Sequence, residues 1–144
     1  MKQDILSKEN ILLNLKPMTK EEAIITAGNL LVKNGYVKEN YVKSMLEKEK
    51  KCNTYIGNSI AIPHGTNDSK KEIIKSGIVI LQFKEGIDYG DDKANLVIGI
   101  AGVNDEHLEI LSKIAIAIED MNTVNKIINS KSRTEICNIL SINN

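Results

Sequence analysis

The sequence predicts an α/β protein built as a three-layer sandwich, with a mixed, mostly parallel sheet between helices on both faces. Residues 77–81 and 96–100 are continuous β-branched runs, as is typical of strands buried on both faces. The link between them, residues 84–93, contains two glycines and is expected to form a turn or loop. Helical patterns precede and follow these strands, so helices are available to cover both faces of the sheet. A chain of 144 residues has the usual length of one domain, so we expect one over residues 1–144.

Two helices are predicted before the strands. Thr19 and Glu22 form a capping-box pattern, in which a hydroxyl and a carboxylate accept hydrogen bonds from the unpaired N–H groups of a helix start. Apolar residues follow at helical spacing: Ala23, Ile24, Ala27, Leu30 and Leu31. A second helix has its own apolar face and ends in the lysine-rich residues 48–51; that face carries Tyr41, Val42, Met45 and Leu46.

The last third of the chain is predicted to be helical. Asn104 or Asp105 is suited to cap a helix, because either side chain accepts a hydrogen bond from a free N–H group. The expected buried face of this helix consists of Leu108, Leu111, Ile114, Ala115 and Ile118. Ser132 and Glu135 form a second capping-box pattern, which predicts a final helix.

The charge balance excludes several classes of function. Nineteen Lys and Arg residues face nineteen Asp and Glu residues, so the formal net charge is zero. This argues against a nucleic-acid-binding protein and against an electrostatic membrane anchor, since both need a basic surface. The longest strongly apolar run, residues 96–103, is far shorter than the ~20 residues that span a bilayer. Cys52 and Cys137 fit no CxxC or zinc spacing and suit a reducing compartment, so we expect a cytoplasmic protein.

The most suggestive candidate for chemistry is a histidine that follows a short predicted strand. Residues 59–62 are expected to be extended, Pro63 turns the chain, and His64 emerges where open α/β sheets place their sites. Gly65 has no Cβ, so its backbone can approach an anion, and Thr66 adds a hydroxyl donor. This suits an imidazole that accepts a phosphoryl group through one nitrogen while a hydrogen bond to the other fixes the tautomer. The alternative is a solvent-exposed turn histidine, since Pro-His-Gly alone is a weak motif.

Two further residues extend this hypothesis. His107 follows the second apolar strand and falls in the first turn of the next helix, where free N–H groups favour a phosphate. If the two strands are neighbours, His64 and His107 meet at one edge of the sheet. The alternative for His107 is an exposed helix residue that faces solvent. A metal site is disfavoured, because no residues near either histidine have the spacing of metal ligands. Lys48 is either part of a solvated helix end or a cation directed at the same phosphoryl site.

Several segments together resemble a known family. Residues 55–66, Tyr-Ile-Gly-Asn-Ser-Ile-Ala-Ile-Pro-His-Gly-Thr, resemble the active-site signature of the mannitol/fructose enzyme IIA proteins of the bacterial phosphoenolpyruvate-dependent sugar phosphotransferase system. Residues 96–101 and 104–107 resemble a second family segment, and residues 8–11 and 19–23 match the family's opening. The similarity covers about residues 5–141. Asn-x-Glu-His at the second histidine and Gly-Thr after the first favour the mannitol branch over the fructose and nitrogen-regulatory branches.

The resemblance implies a role for each site residue. His64 is expected to receive a phosphoryl group on its ε nitrogen from the phosphocarrier HPr and to pass it to a cysteine of enzyme IIB, the partner of the membrane component enzyme IIC. His107 is expected to hydrogen-bond the phosphoryl oxygens. Thr54 is expected to supply a site hydroxyl, and Gly65 and Thr66 to shape the pocket floor. No metal or organic cofactor is implied, and an apolar rim around His64 is expected because its partners are proteins.

One position departs from the family pattern. The family's site arginine, six residues before the hydroxyl residue, aligns with Lys48, and the single arginine of this chain is Arg133 in the C-terminal capping box. A guanidinium holds phosphate with a planar fork, whereas an ammonium is a point charge. Two other functions stay open at this stage: a regulatory enzyme IIA that controls partner proteins through its phosphorylation state, and an unrelated α/β binding module.

Overall fold

A five-stranded mixed sheet forms the middle layer of the protein. The computed structural model describes residues 5–141. The strands are β1 (Ile11–Leu12), β2 (Tyr55–Gly57), β3 (Ile60–Ala61), β4 (Gly77–Tyr89) and β5 (Asp92–Ala101), in the spatial order β1-β4-β5-β3-β2. The β1–β4 and β3–β5 pairs are parallel, and the β4–β5 and β2–β3 pairs are antiparallel. The mixed sheet is thus confirmed, with parallel and antiparallel neighbours in equal number.

Helices cover both faces of the sheet. They are α1 (Lys20–Lys33), α2 (Asn40–Lys51), α3 (Glu106–Ile118), α4 (Met121–Asn129) and α5 (Arg133–Leu140). Successive residues of a strand point to opposite faces, and β4 shows this directly. Ile78 and Ile80 pack in a core with α3, α4 and α5, while Val79 and Leu81 pack in a second core with α1 and α2. The predicted three-layer sandwich is confirmed.

The helix starts follow their capping residues. At α1, Thr19 Oγ1 accepts from the Glu22 N–H at 3.1 Å and Glu22 Oε1 accepts from the Thr19 N–H at 3.0 Å, so the predicted box is complete. At α5, Ser132 accepts from the Glu135 N–H, but the Glu135 carboxylate accepts from the Ser130 hydroxyl instead of from the Ser132 N–H. The second box is therefore only half formed.

The predicted loop over residues 84–93 is wrong. Strand β4 runs on to Tyr89 and β5 begins at Asp92, so only residues 90–91 turn between them. The pairing is irregular between Gln82 and Ile87, and Gly86 lies there at a φ of 78°. A glycine inside a strand often marks such an irregularity, whereas the sequence pattern predicts Gly86 as part of a turn or loop.

The buried face of α3 is also only partly as predicted. Ile114 and Ile118 are buried, but the seam continues to Ile110, whereas Leu108 is 64% exposed and Ala115 is exposed. Apolar residues occur on most sides of this helix, so periodicity alone does not fix which side faces the core. Asp105 is the N-cap residue, without a side-chain capping hydrogen bond.

A two-histidine pocket at the carboxyl ends of β3 and β5

His64 and His107 line one small pocket at the edge of the sheet, with a volume of ≈ 50 Å³. The Pro63 carbonyl accepts from the Ile100 N–H at 3.0 Å, which extends the parallel pairing of β3 with β5, and His64 itself pairs with Ile100. His107 is the second residue of α3, the helix that follows β5. Because β3 and β5 are parallel neighbours, the residues beyond their carboxyl ends come together, as the sequence indicated.

The two imidazoles are close, and the tautomer of one of them is fixed. The ring centroids of His64 and His107 are 5.2 Å apart, with a tilt of 57° between the planes. His64 Nδ1 lies 2.8 Å from the carbonyl oxygen of Ile62. Since a carbonyl only accepts, Nδ1 carries the proton in this bond, and in the neutral tautomer Nε2 is the nitrogen with the lone pair. That is the state in which an imidazole attacks phosphorus.

His107 is set to be neutral near pH 7. Burial, followed by the neighbouring His64, Lys70 and Lys48, holds the pKa of His107 below its usual value of 6.5. A neutral imidazole still presents one N–H donor, so His107 can donate a hydrogen bond to a phosphoryl oxygen through one ring nitrogen.

Tyr41 fixes the backbone that carries His64. Its hydroxyl accepts from the Gly65 N–H at 2.9 Å and donates to the Ile100 carbonyl at 2.8 Å. Burial raises the pKa of Tyr41 to about 12, so this hydroxyl stays protonated and keeps its donor. The Gly65 N–H is therefore bonded to Tyr41 and not directed at an anion. This corrects the expectation that the Gly65 backbone approaches a bound anion.

Gly65 is needed for space instead. A Cβ at this position would lie 2.5 Å from Ser44 Oγ and 2.6 Å from both Ser69 Oγ and a Tyr41 ring carbon. These contacts are shorter than any side chain accommodates without movement. The absence of a side chain thus lets the loop after His64 pack against α2.

The pocket has cations but no carboxylates. Lys48 and Lys70 both line it, and Thr66 is part of its wall. Within residues 5–141 the single ion pair is Lys20–Glu49, so neither pocket lysine has a carboxylate partner. The full lining is Tyr41, Lys48, His64, Gly65, Thr66, Asn67, Lys70, Ile73, Gly102 and His107. Such a surface suits an anionic group.

Thr54 is a correction, because it does not line this pocket. Its hydroxyl is 2.6 Å from Glu49 Oε1 and 2.8 Å from the Tyr89 hydroxyl, and its N–H donates to Glu49 Oε2 at 2.8 Å. Thr54 reaches the site only through its backbone, since its carbonyl accepts from the N–H of Ile62, whose own carbonyl holds His64. The hydroxyl expected at the phosphoryl position instead joins β2 to α2 and the β4–β5 hairpin.

Sequence reasoning missed five residues of the pocket lining, of which Tyr41 and Lys70 matter most here because one holds the His64 loop and the other carries a charge. Tyr41 was assigned to the apolar face of α2, where its position gave no sign that the hydroxyl reaches past the helix to Gly65. Lys70 stands beside Lys71 in a polar segment, and nothing in the sequence distinguishes the two. Only the path of the chain after His64 brings Lys70 back to the pocket.

Other kinds of site are not evident over residues 5–141. No group of three or more His, Cys, Asp or Glu side chains there is placed to hold a metal ion. A larger open cleft of ≈ 980 Å³ lies between residues 17–22 and the β4–β5 hairpin, without a histidine or cysteine in its lining. None of the helices in that range combines the length and the apolar character needed to cross a membrane.

The fold and pocket define an α/β protein with a histidine ready for nucleophilic attack at the edge of its sheet. Residues 4–142 match the family model described as "Phosphoenolpyruvate-dependent sugar phosphotransferase system, EIIA 2". The chain belongs to this family of phosphotransferase components. The match covers both histidines and almost the whole chain.

Individual relatives are similar over nearly their full length. The "Mannitol-specific phosphotransferase enzyme IIA component" of Geobacillus stearothermophilus is 49% identical over 142 residues, which is 98% of each chain. The protein of the same name from Bacillus subtilis is 47% identical over 138 residues, or 95% of this chain and 96% of that one. The "PTS system mannitol-specific EIICBA component" of Vibrio cholerae is 48% identical, and the match covers 94% of this chain but only 21% of that protein.

Solved structures agree with the fold. The crystal structure of IIA mannitol from Escherichia coli is 44% identical, with a TM-score of 0.87, and the match covers 94% of this chain and 98% of that one. Enzyme IIAMTL in its complex with phosphorylated enzyme IIBMTL from Escherichia coli is 43% identical, with a TM-score of 0.89 and coverage of 94% and 96%. The nitrogen regulatory protein IIA-Ntr of Neisseria meningitidis, at 21% identity and a TM-score of 0.78, shares the fold.

Proposed function

We propose that residues 1–144 form one enzyme IIA domain that serves as the cytoplasmic mannitol-specific relay of the phosphotransferase system. It accepts a phosphoryl group from phospho-HPr on His64 and passes it to a cysteine of enzyme IIB, which serves the membrane component enzyme IIC. The observation that carries this proposal is the Nδ1 contact of His64 with the Ile62 carbonyl, which leaves Nε2 free beside a second imidazole.

The reaction is a pair of phosphoryl transfers. In the first, the Nε2 lone pair forms the N–P bond while the bond from phosphorus to the HPr histidine breaks and its electron pair returns to that nitrogen. In the second, an enzyme IIB thiolate forms an S–P bond while the His64 N–P bond breaks and its electron pair returns to Nε2. Nδ1 can keep its proton during both transfers, because its hydrogen bond to the Ile62 carbonyl does not involve the reacting nitrogen. Such transfers depend on in-line placement and on stabilising charge at the phosphoryl oxygens.

The surrounding residues provide that stabilisation. His107 donates to a phosphoryl oxygen, Lys48 supplies positive charge in place of the family's arginine, and Thr66 forms part of the wall that holds the group. Gly65 allows the close packing that sets the position of His64. A positively charged, carboxylate-free pocket favours the transferring group, whose charge lies on its three equatorial oxygens.

The surface around the pocket suits protein partners. Leu108, next to His107, is 64% exposed, and Ile74, next to the pocket residue Ile73, is 58% exposed. Exposed apolar side chains beside a reactive group favour a transient protein interface over binding of a small sugar. The mannitol assignment is supported by relatives of that name at 47–49% identity, whereas the nitrogen regulatory protein IIA-Ntr of Neisseria meningitidis is 21% identical and is similar in fold.

The test is phosphorylation by purified phosphoenolpyruvate, enzyme I and HPr. The wild type should acquire an acid-labile, base-stable phosphoryl group. H64A should acquire none, and H107A should acquire the same group at a lower rate. Mannitol-type enzyme IIB should then discharge the labelled protein faster than fructose-type enzyme IIB. Labelling of H64A, or no labelling of the wild type, would refute the relay. Equal discharge by both enzyme IIB types would remove the mannitol assignment.

A further inference from the structure

We propose that Lys70 is a second phosphoryl-binding cation, which acts with Lys48 on the group carried by His64. This inference deepens the proposed function and rests on it. Both lysines line the same pocket as the two histidines, although they come from different elements. Lys48 lies in the last turn of α2, and Lys70 in the short 3₁₀ helix Asn67–Glu72 that follows the His64 loop.

The backbone that carries Lys70 is held in place. Ser69 is buried, and its hydroxyl and N–H both donate to the Thr66 carbonyl, at 2.6 and 3.1 Å. The carbonyl of Lys70 accepts from the Ile73 N–H at 3.0 Å, and the Glu72 carbonyl accepts from the Lys38 N–H at 2.8 Å. The lysine therefore starts from a fixed point, and its ammonium needs only side-chain rotation to meet a ligand.

The charge of Lys70 acts on the pocket and is not neutralised there. Within residues 5–141 no carboxylate forms an ion pair with Lys70 or Lys48. After burial and His64, Lys70 is the next cause that lowers the pKa of His107, ahead of Lys48. Two unpaired ammonium groups beside a neutral imidazole leave the pocket with a positive charge that an anionic group would balance.

Two lysines also explain how the site can hold a phosphoryl group without the family's arginine. A guanidinium donates two parallel hydrogen bonds to two oxygens of one phosphoryl group, whereas a single ammonium is one point charge. Lys48 and Lys70 together offer two separate charges with rotatable donors. The second cation thus restores two-point contact with the equatorial oxygens that the chain lost with the arginine.

The test compares K70Q with K71Q: both lysines are exposed and adjacent in sequence, but only Lys70 lines the pocket. We expect K70Q to slow phosphoryl transfer from HPr about tenfold, less than the loss of a fully buried oxyanion donor. K71Q should stay within about twofold of wild type, as for a surface substitution away from the site. K70R should retain most of the rate, because it keeps the charge. Equal rates for K70Q and K71Q would overturn the proposal.

A second readout does not depend on phosphorylation. In a pH titration monitored by nitrogen NMR, the midpoint of His107 should lie at a higher pH in K70Q than in K71Q, because the Lys70 charge opposes protonation of the imidazole. Equal midpoints would overturn the placement of the Lys70 charge, even if the proposed function failed because the wild type did not label. Labelling of the wild type with no effect of K70Q would refute the Lys70 contact alone.

Discussion

Two adjacent residues in the last turn of α2 show how this protein separates structural charge from reactive charge. Glu49 is buried and fully partnered: it pairs with Lys20 at 3.1 Å and accepts hydrogen bonds from Thr54 and Tyr89. Lys48 lines the histidine pocket and has no carboxylate partner over residues 5–141. The same turn therefore has an anion whose charge is satisfied within the fold and a cation whose charge is left for a ligand.

The difference follows from the cost of burying charge. A buried carboxylate is stable only when hydrogen bonds and an opposite charge replace its water, and Glu49 has both. A half-buried ammonium keeps part of its water and needs no partner. Removal of the Glu49 charge should therefore reduce stability, and removal of the Lys48 charge should reduce transfer, so the two regions can be tested separately.

The largest effect on stability is expected for E49Q. An amide has one oxygen and one NH₂ group, so one of the Thr54 donors would face another donor, and Lys20 would lose its counter-charge. Disruption of such a buried network costs about 3 kcal/mol of unfolding free energy. Urea unfolding should show this loss for E49Q but not for E47Q, the exposed matched control in the same helix. Equal stabilities would mean that the Glu49 network does not support the fold.

The next largest effect is expected for G65A. The added methyl group meets Ser44 Oγ and Ser69 Oγ from opposite elements, so the loop must move away from α2. Overpacking of this kind costs about 2 kcal/mol. Because the loop carries His64, transfer from HPr should slow together with the loss of stability measured by thermal unfolding. A variant with wild-type values for both would contradict the close packing at Gly65.

A smaller loss is expected for Y41F. The substitution leaves the Gly65 N–H and the Ile100 carbonyl without their partner, at about 1–2 kcal/mol. The matched control is Y55F, which removes a hydroxyl that accepts from the Ser59 N–H outside the pocket. Both variants should lose stability, but only Y41F should shift the His64 nitrogen resonances. An unchanged His64 spectrum in Y41F would show that Tyr41 does not position this imidazole.

A moderate gain in rate with no change in stability is expected for K48R. A guanidinium can donate two parallel hydrogen bonds to the phosphoryl group. The rate of transfer from HPr should therefore rise a few-fold, as expected for one added charge-assisted hydrogen bond. K51R, at an exposed position in the same turn, should leave the rate unchanged. If K48R matches K51R in a stopped-flow transfer assay, position 48 is not a limiting phosphoryl contact.

The smallest effect is a pH dependence of stability due to His107. Its folded pKa lies below the usual value, so the unfolded chain takes up this proton at a higher pH than the folded chain does. The unfolding free energy should therefore be highest above about pH 6.5 and fall as the pH is lowered through the folded pKa. H107Q should flatten this slope between about pH 6.5 and 5.5, which lies above the usual pKa range of the carboxylates. An equally steep slope in H107Q would assign it to other groups.

Local sequence patterns predicted much of the fold and the identity of the two histidines. Continuous apolar runs indicated β4 and β5, and the Thr19–Glu22 box indicated the start of α1, because these features depend on neighbours along the chain. Pro63 before His64 marked the end of β3 for the same reason. The sheet order was not predictable, so the meeting of His64 and His107 depended on a pairing that only the tertiary fold decides.

The remaining site residues depended on contacts distant in sequence. The Tyr41 hydroxyl bonds to residues 24 and 59 positions away, which no local pattern indicates. Thr54 was placed at the phosphoryl site, yet the hairpin brings Tyr89 and α2 brings Glu49 to take up its hydroxyl. Leu108 was predicted to be buried but is exposed. Apolar residues occur on most sides of this helix, so the helical spacing alone does not determine which side faces the core.

The most direct measurement is proton–nitrogen NMR of the protein after phosphorylation by phospho-HPr, which identifies the nitrogen that carries phosphorus. The bond from His64 Nδ1 to the Ile62 carbonyl predicts phosphorus on Nε2 of His64, with the proton retained on Nδ1. His107 should stay unphosphorylated and show a changed resonance as it donates to the new oxygens. Phosphorus on Nδ1 of His64, or on either nitrogen of His107, would contradict the reaction derived from this pocket.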